Sequence, residues 1–191
     1  MDKIGEKIGF LAVLLTMMSI SSSPYPMMLI LAYIIHELGH IIIAKINHIP
    51  MRKFKIGSFR LSLSYDCSGV PYKKELFVCL GGIAFNLLFA SLMAILKLYK
   101  YDSISFFILC NLSLALMNLY PVSTLDGGGI LKCLLMMLFD TEKAEKISKI
   151  ISLIAVFILW LCAVYLQLVF DSNISMLFIS IFLLIELCFS C

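Results

Sequence analysis

His36, Glu37 and His40 stand in the order His-Glu-Leu-Gly-His within an apolar run from Pro26 to Ile46. Imidazoles at i and i+4 lie on one face of a helix, so both rings can bind a single zinc ion. Glu37 follows His36 by about 100° around the helix axis, near enough to take a proton from a water at that metal. The surrounding run is long enough to cross a bilayer, where two imidazoles and a carboxylate are costly and rarely kept without a function. The pattern therefore points to a hydrolytic zinc site inside a membrane. The plain alternative is a polar pair packed between helices. The scarcity of histidine weighs against it, since the chain has only 3 and two of them fall in this motif.

A catalytic zinc usually takes three protein ligands and leaves one position for water. His48 is eight residues beyond His40, where the chain leaves the apolar run, and reads as an interfacial histidine. Glu142 and Glu145 lie in a charged stretch and read as solvated helix-surface groups, while Glu186 lies deep in the last apolar run. Asp126 precedes Gly127-Gly128-Gly129 and follows a helix that ends at Pro121. It suits the role of third ligand, and it suits equally well a turn or N-cap aspartate at the start of the next helix.

The elements that must position these groups follow from composition. Of 191 residues, 62% are hydrophobic and 14% charged, which marks an integral membrane protein. With about 20 apolar residues needed per span, the spanning candidates are Ile8–Ser22, Pro26–Ile46, Glu75–Leu98, Ile104–Tyr120, Ile147–Phe170 and Ile174–Phe189. The expected fold class is an all-α polytopic membrane protein of about six helices. The start, Lys3 and Lys7 followed by Phe10–Ile20 and three serines, also has the form of a signal peptide. A retained first helix gives the same topology and is the expectation here. With the N-terminus cytosolic, all of the 15 Lys and Arg except Lys97 and Lys100 fall on the cytosolic side. That bias places both termini in the cytosol. The cluster Arg52-Lys53-Phe54-Lys55 then belongs to topology and lipid headgroups, and no nucleic-acid partner is expected. The 7 cysteines are scattered, mostly in apolar runs, and read as small buried hydrophobes.

Between the second and third runs, Phe59, Leu61, Leu63 and Tyr65 alternate with Arg60, Ser62 and Ser64, the period of a half-buried strand. Asp66–Gly69 supplies a turn and Val70-Pro71-Tyr72 the start of a return strand, giving an interfacial β-hairpin over about residues 54–72. Such an edge could hold an extended peptide. The three glycines after Asp126 permit backbone that no helix interior favours, and irregular backbone at membrane depth must line a cavity or be buried in protein.

The segments "IHELGH", "GGIAFN" and "NLYPVSTLDGG", in that order from about Pro26 to Leu131, resemble the intramembrane site-2 protease family of zinc metalloproteases. Within it they are most similar to the branch of stage IV sporulation protein FB, which processes pro-sigma-K. The resemblance implies a single membrane-embedded protease domain over residues 1–191. It also implies a three-helix catalytic core at about 26–131 and C-terminal helices at about 147–189. It implies one Zn2+ per chain, with Asp126 as the third ligand beside His36 and His40, and Glu37 as the catalytic base. Gly82 and Asn86 match the family's G-x-x-x-N motif, with Ile83 where proline is usual, and Thr124 replaces a second proline before Leu125-Asp126. Asn118 and Asn86 then become donors to the substrate backbone or developing oxyanion. For Asn86 an interhelical hydrogen bond is an equal alternative. No PDZ or CBS domain is expected in this sequence.

The implied activity is hydrolysis of a peptide bond in a membrane-associated or single-span protein, such as a pro-sigma or anti-sigma factor, near the cytosolic face. A membrane regulatory protein is a further expected partner, and the location is a bacterial cell membrane or the membrane around a forespore. Two other classes use the same residues: a membrane metal transporter or sensor, and an inactive family scaffold. A transporter needs polar groups along a path to the far side, and the first, fifth and sixth runs are almost purely apolar. An intact Glu37 speaks against the scaffold.

Overall fold

The computed structural model describes residues 25–49, 51–57, 60–65, 71–96 and 98–170, together with 180, 181, 183 and 184. The helix expected at Ile8–Ser22 and most of that at Ile174–Phe189 lie outside the described residues. Two compact units divide the chain, Met1–Leu116 and Met117–Cys191.

In the first unit, helix α1 (Tyr25–Ile46) is followed by strands β1 (Met51–Gly57) and β2 (Arg60–Tyr65). Helix α2 (Tyr72–Ile95), a 3-10 turn (Leu98–Lys100) and helix α3 (Asp102–Asn118) come next. In the second unit, α4 (Asp126–Leu138) precedes α5 (Thr141–Phe170). Among the described residues, α1, α2 and α5 are long and apolar enough to cross a membrane, and α3 is a shorter apolar helix. The fourth expected span, Ile104–Tyr120, thus ends at Asn118.

Within the spanning stretches of α1 and α2 only 33% of the residues are buried. Leu29, Leu31, Ile34 and Leu38 of α1 and Phe77, Leu87, Leu88 and Leu92 of α2 point outward, whereas Asn86 and Asn111 are 0% exposed. Apolar surface outside and amides inside is the arrangement that hydrocarbon stabilises and water does not. This is a membrane protein. Asn111 satisfies its own amide within α3, donating from Nδ2 to the Phe107 carbonyl at 2.9 Å.

Close packing of α1 against α2 depends on glycine. A Cβ at Gly81 would lie 2.8 Å from the Gly39 carbonyl oxygen, and one at Gly39 would lie 2.9 Å from the Gly82 Cα. Backbone thus meets backbone, as small residues allow between membrane helices. Ala32 and Ile35 of α1 pack with Phe107 and Cys110 of α3, and Phe85, Phe89 and Met93 of α2 close this core.

Helix α1 ends in a two-bond cap: His48 N–H donates to the Lys45 carbonyl and Ile49 N–H to the Ala44 carbonyl, both at 3.0 Å. This is the Schellman arrangement, with His48 as the left-handed residue at φ 56° and Ile49 buried against Ala44. His48 is exposed.

β1 and β2 are antiparallel, pairing Phe54 with Leu63 and Gly57 with Arg60. The partner of the alternating segment therefore lies upstream. The return strand expected at Val70-Pro71-Tyr72 is not formed at Tyr72, which opens α2. Pro71 explains the difference: it has no N–H for a ladder, and its φ of −58° suits a helix start. Its carbonyl accepts from Lys74 N–H at 2.8 Å.

Because His48 holds a left-handed backbone that costs a side-chain-bearing residue about 1 kcal/mol, His48→Gly should raise the thermal unfolding midpoint in detergent. Bound zinc should stay unchanged. Loss of zinc from this variant would contradict the capping role.

Candidate metal centre

The helical spacing of the His-Glu-Leu-Gly-His segment places both imidazoles on the buried face of α1, with His36 3% and His40 8% exposed. Their Nε2 atoms are 3.2 Å apart and the rings stand nearly edge to face. Two nitrogens at about 2.0–2.1 Å from one tetrahedral zinc are separated by about 3.3 Å, so the pair already has the spacing of a shared cation. Glu37 is half-buried beside them.

Helix α2 runs antiparallel to α1 and answers the two histidines with a stripe spaced by four residues. The Val78 carbonyl accepts a hydrogen bond from His40 Nδ1–H at 2.7 Å. A carbonyl can only accept, so His40 keeps its proton on Nδ1 and offers a lone pair at Nε2. One turn on is Gly82. A Cβ there would lie 2.5 Å from His40 Nε2 and 2.8 Å from His36 Nε2. The missing side chain leaves the space in which the two Nε2 atoms face each other. One further turn brings Asn86, fully buried, with Nδ2 3.4 Å from His36 Nδ1. The donor set and this cradle fit a divalent metal.

In the second unit, Asp126 is 8% exposed at the first position of α4. The N-cap position belongs to Leu125, and no side chain caps the helix. Asp126 is therefore not the N-cap aspartate that its place before glycines allows. Its carboxylate sits at the positive end of the α4 dipole, which favours its charge. The glycines do not break the helix, because all three lie within α4. Gly127 and Gly128 instead make room for the preceding loop: a Cβ at Gly127 would strike the Leu119 and Tyr120 carbonyls, and one at Gly128 the Val122 carbonyl.

That loop is fastened to α5. Tyr120 Oη donates to the Ala155 carbonyl at 2.9 Å, and Ser123 N–H donates to Ser152 Oγ at 3.1 Å. Val122, fully buried, packs against Ala155 and Val156. Asn118 is half-buried at the end of α3. Glu145, one of the acids weighed as a ligand, pairs with Lys132 at 2.9 Å on the exposed surface.

Sequence reasoning placed Gly82 and Asn86 only through a motif and missed the Val78 carbonyl, which no residue type could have signalled. Ser152 and Tyr120 were missed as well. Their one signal is polarity within otherwise apolar helical sequence.

Residues 97–162 match the family model described as Peptidase family M50, a segment that includes Asp126 and excludes α1. No curated protein matches the chain. Among solved structures the chain is similar to the Site-2 Protease from Methanocaldococcus jannaschii. Identity is 22% over 93% of this chain and 84% of that one, with a TM-score of 0.62. The likeness establishes the fold.

Gly82→Ala should weaken zinc binding by about tenfold or more, the scale of a disturbed metal shell. The thermal midpoint should fall as well, since the same Cβ crowds two buried imidazoles, so affinity is read well below it. Zinc titration of the purified chain checks this, and unchanged affinity would contradict the cradle.

Proposed function

We propose that this chain is an intramembrane zinc metalloprotease of the site-2 protease type. In this reading His36, His40 and Asp126 hold one zinc ion. The observation that carries it is the buried His36–His40 pair, with Nε2 atoms 3.2 Å apart on a helix apolar enough to cross a membrane. Support comes from the buried Asp126 at the head of α4 and from the M50 match over its segment.

A zinc ion held by His36, His40 and Asp126 would supply Lewis-acid chemistry, making water a better nucleophile near neutral pH and a carbonyl more electrophilic. Glu37 takes the proton as the water attacks and passes it to the departing amine. Asn118 and Asn86 are proposed to donate hydrogen bonds to the substrate backbone or the developing oxyanion. The Val78 carbonyl holds the His40 ring while this happens.

The substrate is proposed to be a membrane-associated or single-span protein cut near the cytosolic face. Sigma-factor precursors of the kind processed by the stage IV sporulation protein FB branch, and anti-sigma factors, are the leading class. His40 is six residues from the end of α1 at Ile46, so at 1.5 Å per residue the centre lies about 9 Å from that end. The charge bias makes this the cytosolic end, from which water enters. A helical substrate must unwind to expose its amides, and the β1–β2 edge is proposed to hold it extended.

Glu37→Gln, coexpressed with a tagged sigma-factor precursor or single-span protein encoded beside this chain, should cut cleavage by about 10²–10⁴-fold. Zinc content should be unchanged. Cleavage at the wild-type rate would rule out this mechanism.

A further inference from the structure

We infer that Asn86 is a positioning residue for the metal: its side-chain carbonyl accepts the Nδ1 proton of His36 and so selects the imidazole tautomer that can bind a cation at Nε2. This rests on the proposed zinc site and goes beyond it by assigning Asn86 a task on the protein side of the ligand.

The two histidines face the same requirement and meet it differently. For one cation to bind both Nε2 atoms, each neutral ring must carry its proton on Nδ1. His40 is fixed by the Val78 carbonyl at 2.7 Å. At His36 the neighbouring group is the Asn86 amide, 3.4 Å from Nδ1. An amide offers a donor at one end and an acceptor at the other. With NH2 toward the ring, His36 carries its proton on Nε2. That proton then points at the His40 Nε2 lone pair 3.2 Å away, closing a hydrogen bond where the cation must sit. Rotated by 180° about Cβ–Cγ, the amide presents Oδ1, the ring proton moves to Nδ1, and Nε2 is free to bind. The rearrangement is neutral overall: one proton changes nitrogen and none is gained or lost.

The rotation breaks no hydrogen bond of Oδ1 among the described residues. Oδ1, at the other end of the amide, is buried and has no hydrogen-bond partner there. With Oδ1 turned to the ring, the amide holds the His36 proton on Nδ1. Gly82, one turn before Asn86, keeps the space between the rings clear, so α2 fixes position with one residue and tautomer with the next. A hydroxyl or an aliphatic group at 86 would fill the volume without supplying a planar acceptor at this distance. This assigns a physical task to an amide that an interhelical hydrogen bond alone would leave unspecified.

The test is zinc competition against a chromophoric chelator with the full chain in detergent, alongside thermal unfolding and the visible spectrum of the cobalt(II)-loaded protein. Asn86→Leu, of similar shape but without an acceptor, should bind zinc about 10–100-fold more weakly, the usual cost of a lost outer-shell partner. Asn86→Asp, an acceptor only, should bind within about threefold of the parent or more tightly, with an unchanged cobalt spectrum showing that no new ligand has entered. Parent-like affinity in Asn86→Leu, or loss of zinc in Asn86→Asp equal to that in Asn86→Leu, would overturn the proposal. If Asn86→Leu does not fold, Asn86→Asp decides alone, and binding about tenfold or more weaker than the parent overturns the proposal. His36→Ala separates the two readings: if it binds zinc normally the ligand assignment itself fails, whereas zinc loss there beside parent-like Asn86→Leu defeats only the role of Asn86.

Discussion

The contact on which the rest depends is the backbone-to-backbone approach of α1 and α2 at Gly39, Gly81 and Gly82. A Cβ at any of these glycines would clash with the facing helix and force a shift. Without one, the Val78 carbonyl comes to 2.7 Å from His40, and Asn86 comes to 3.4 Å from His36. Each interaction is unremarkable in water. In a region without competing water, an imidazole must find its partner in protein, and the partner then dictates its tautomer. Helix packing and ligand chemistry are thus one constraint in the first unit.

The second unit solves a related problem by other means. Asp126 lies after a loop, and a loop near hydrocarbon must have its polar groups satisfied. Ser152 and Ala155 of α5 supply partners for Ser123 and Tyr120, and Val122 anchors the same turn in the core. The long helix α5, whose outward residues Leu153, Phe157 and Leu161 are exposed and apolar, turns an inner face toward the loop that carries the acid. Its buried Ser152 is otherwise hard to explain in a helix of this composition.

How much of this was legible depended on whether chemistry or geometry wrote the signal. The pairing of the histidines was readable because a spacing of four puts both rings on one helix face. The apolar spans were readable because length and hydropathy suffice, although α3 stops short of its expected end. The hairpin was half-readable: Phe59–Tyr65 alternates plainly, but its partner strand, Met51–Gly57, carries basic residues that suggested lipid headgroups. Pro71 held the information needed to reject a downstream return strand. Asp126 was ambiguous for a physical reason, since aspartate before glycine serves turns as well as metals. The offset of the helix start, with Leu125 in the N-cap, removes the N-cap reading. The role of Val78 was invisible, because a backbone carbonyl looks the same under any side chain.

The central claim is that two imidazoles and a carboxylate of this chain form one zinc centre. X-ray absorption at the zinc edge, on the full chain purified with its native metal, tests this directly. The account predicts about one zinc per chain with only nitrogen and oxygen neighbours at about 2.0–2.2 Å and an imidazole scattering pattern. Sulfur at about 2.3 Å, or zinc that remains after His36 and His40 are both replaced by alanine, would contradict it.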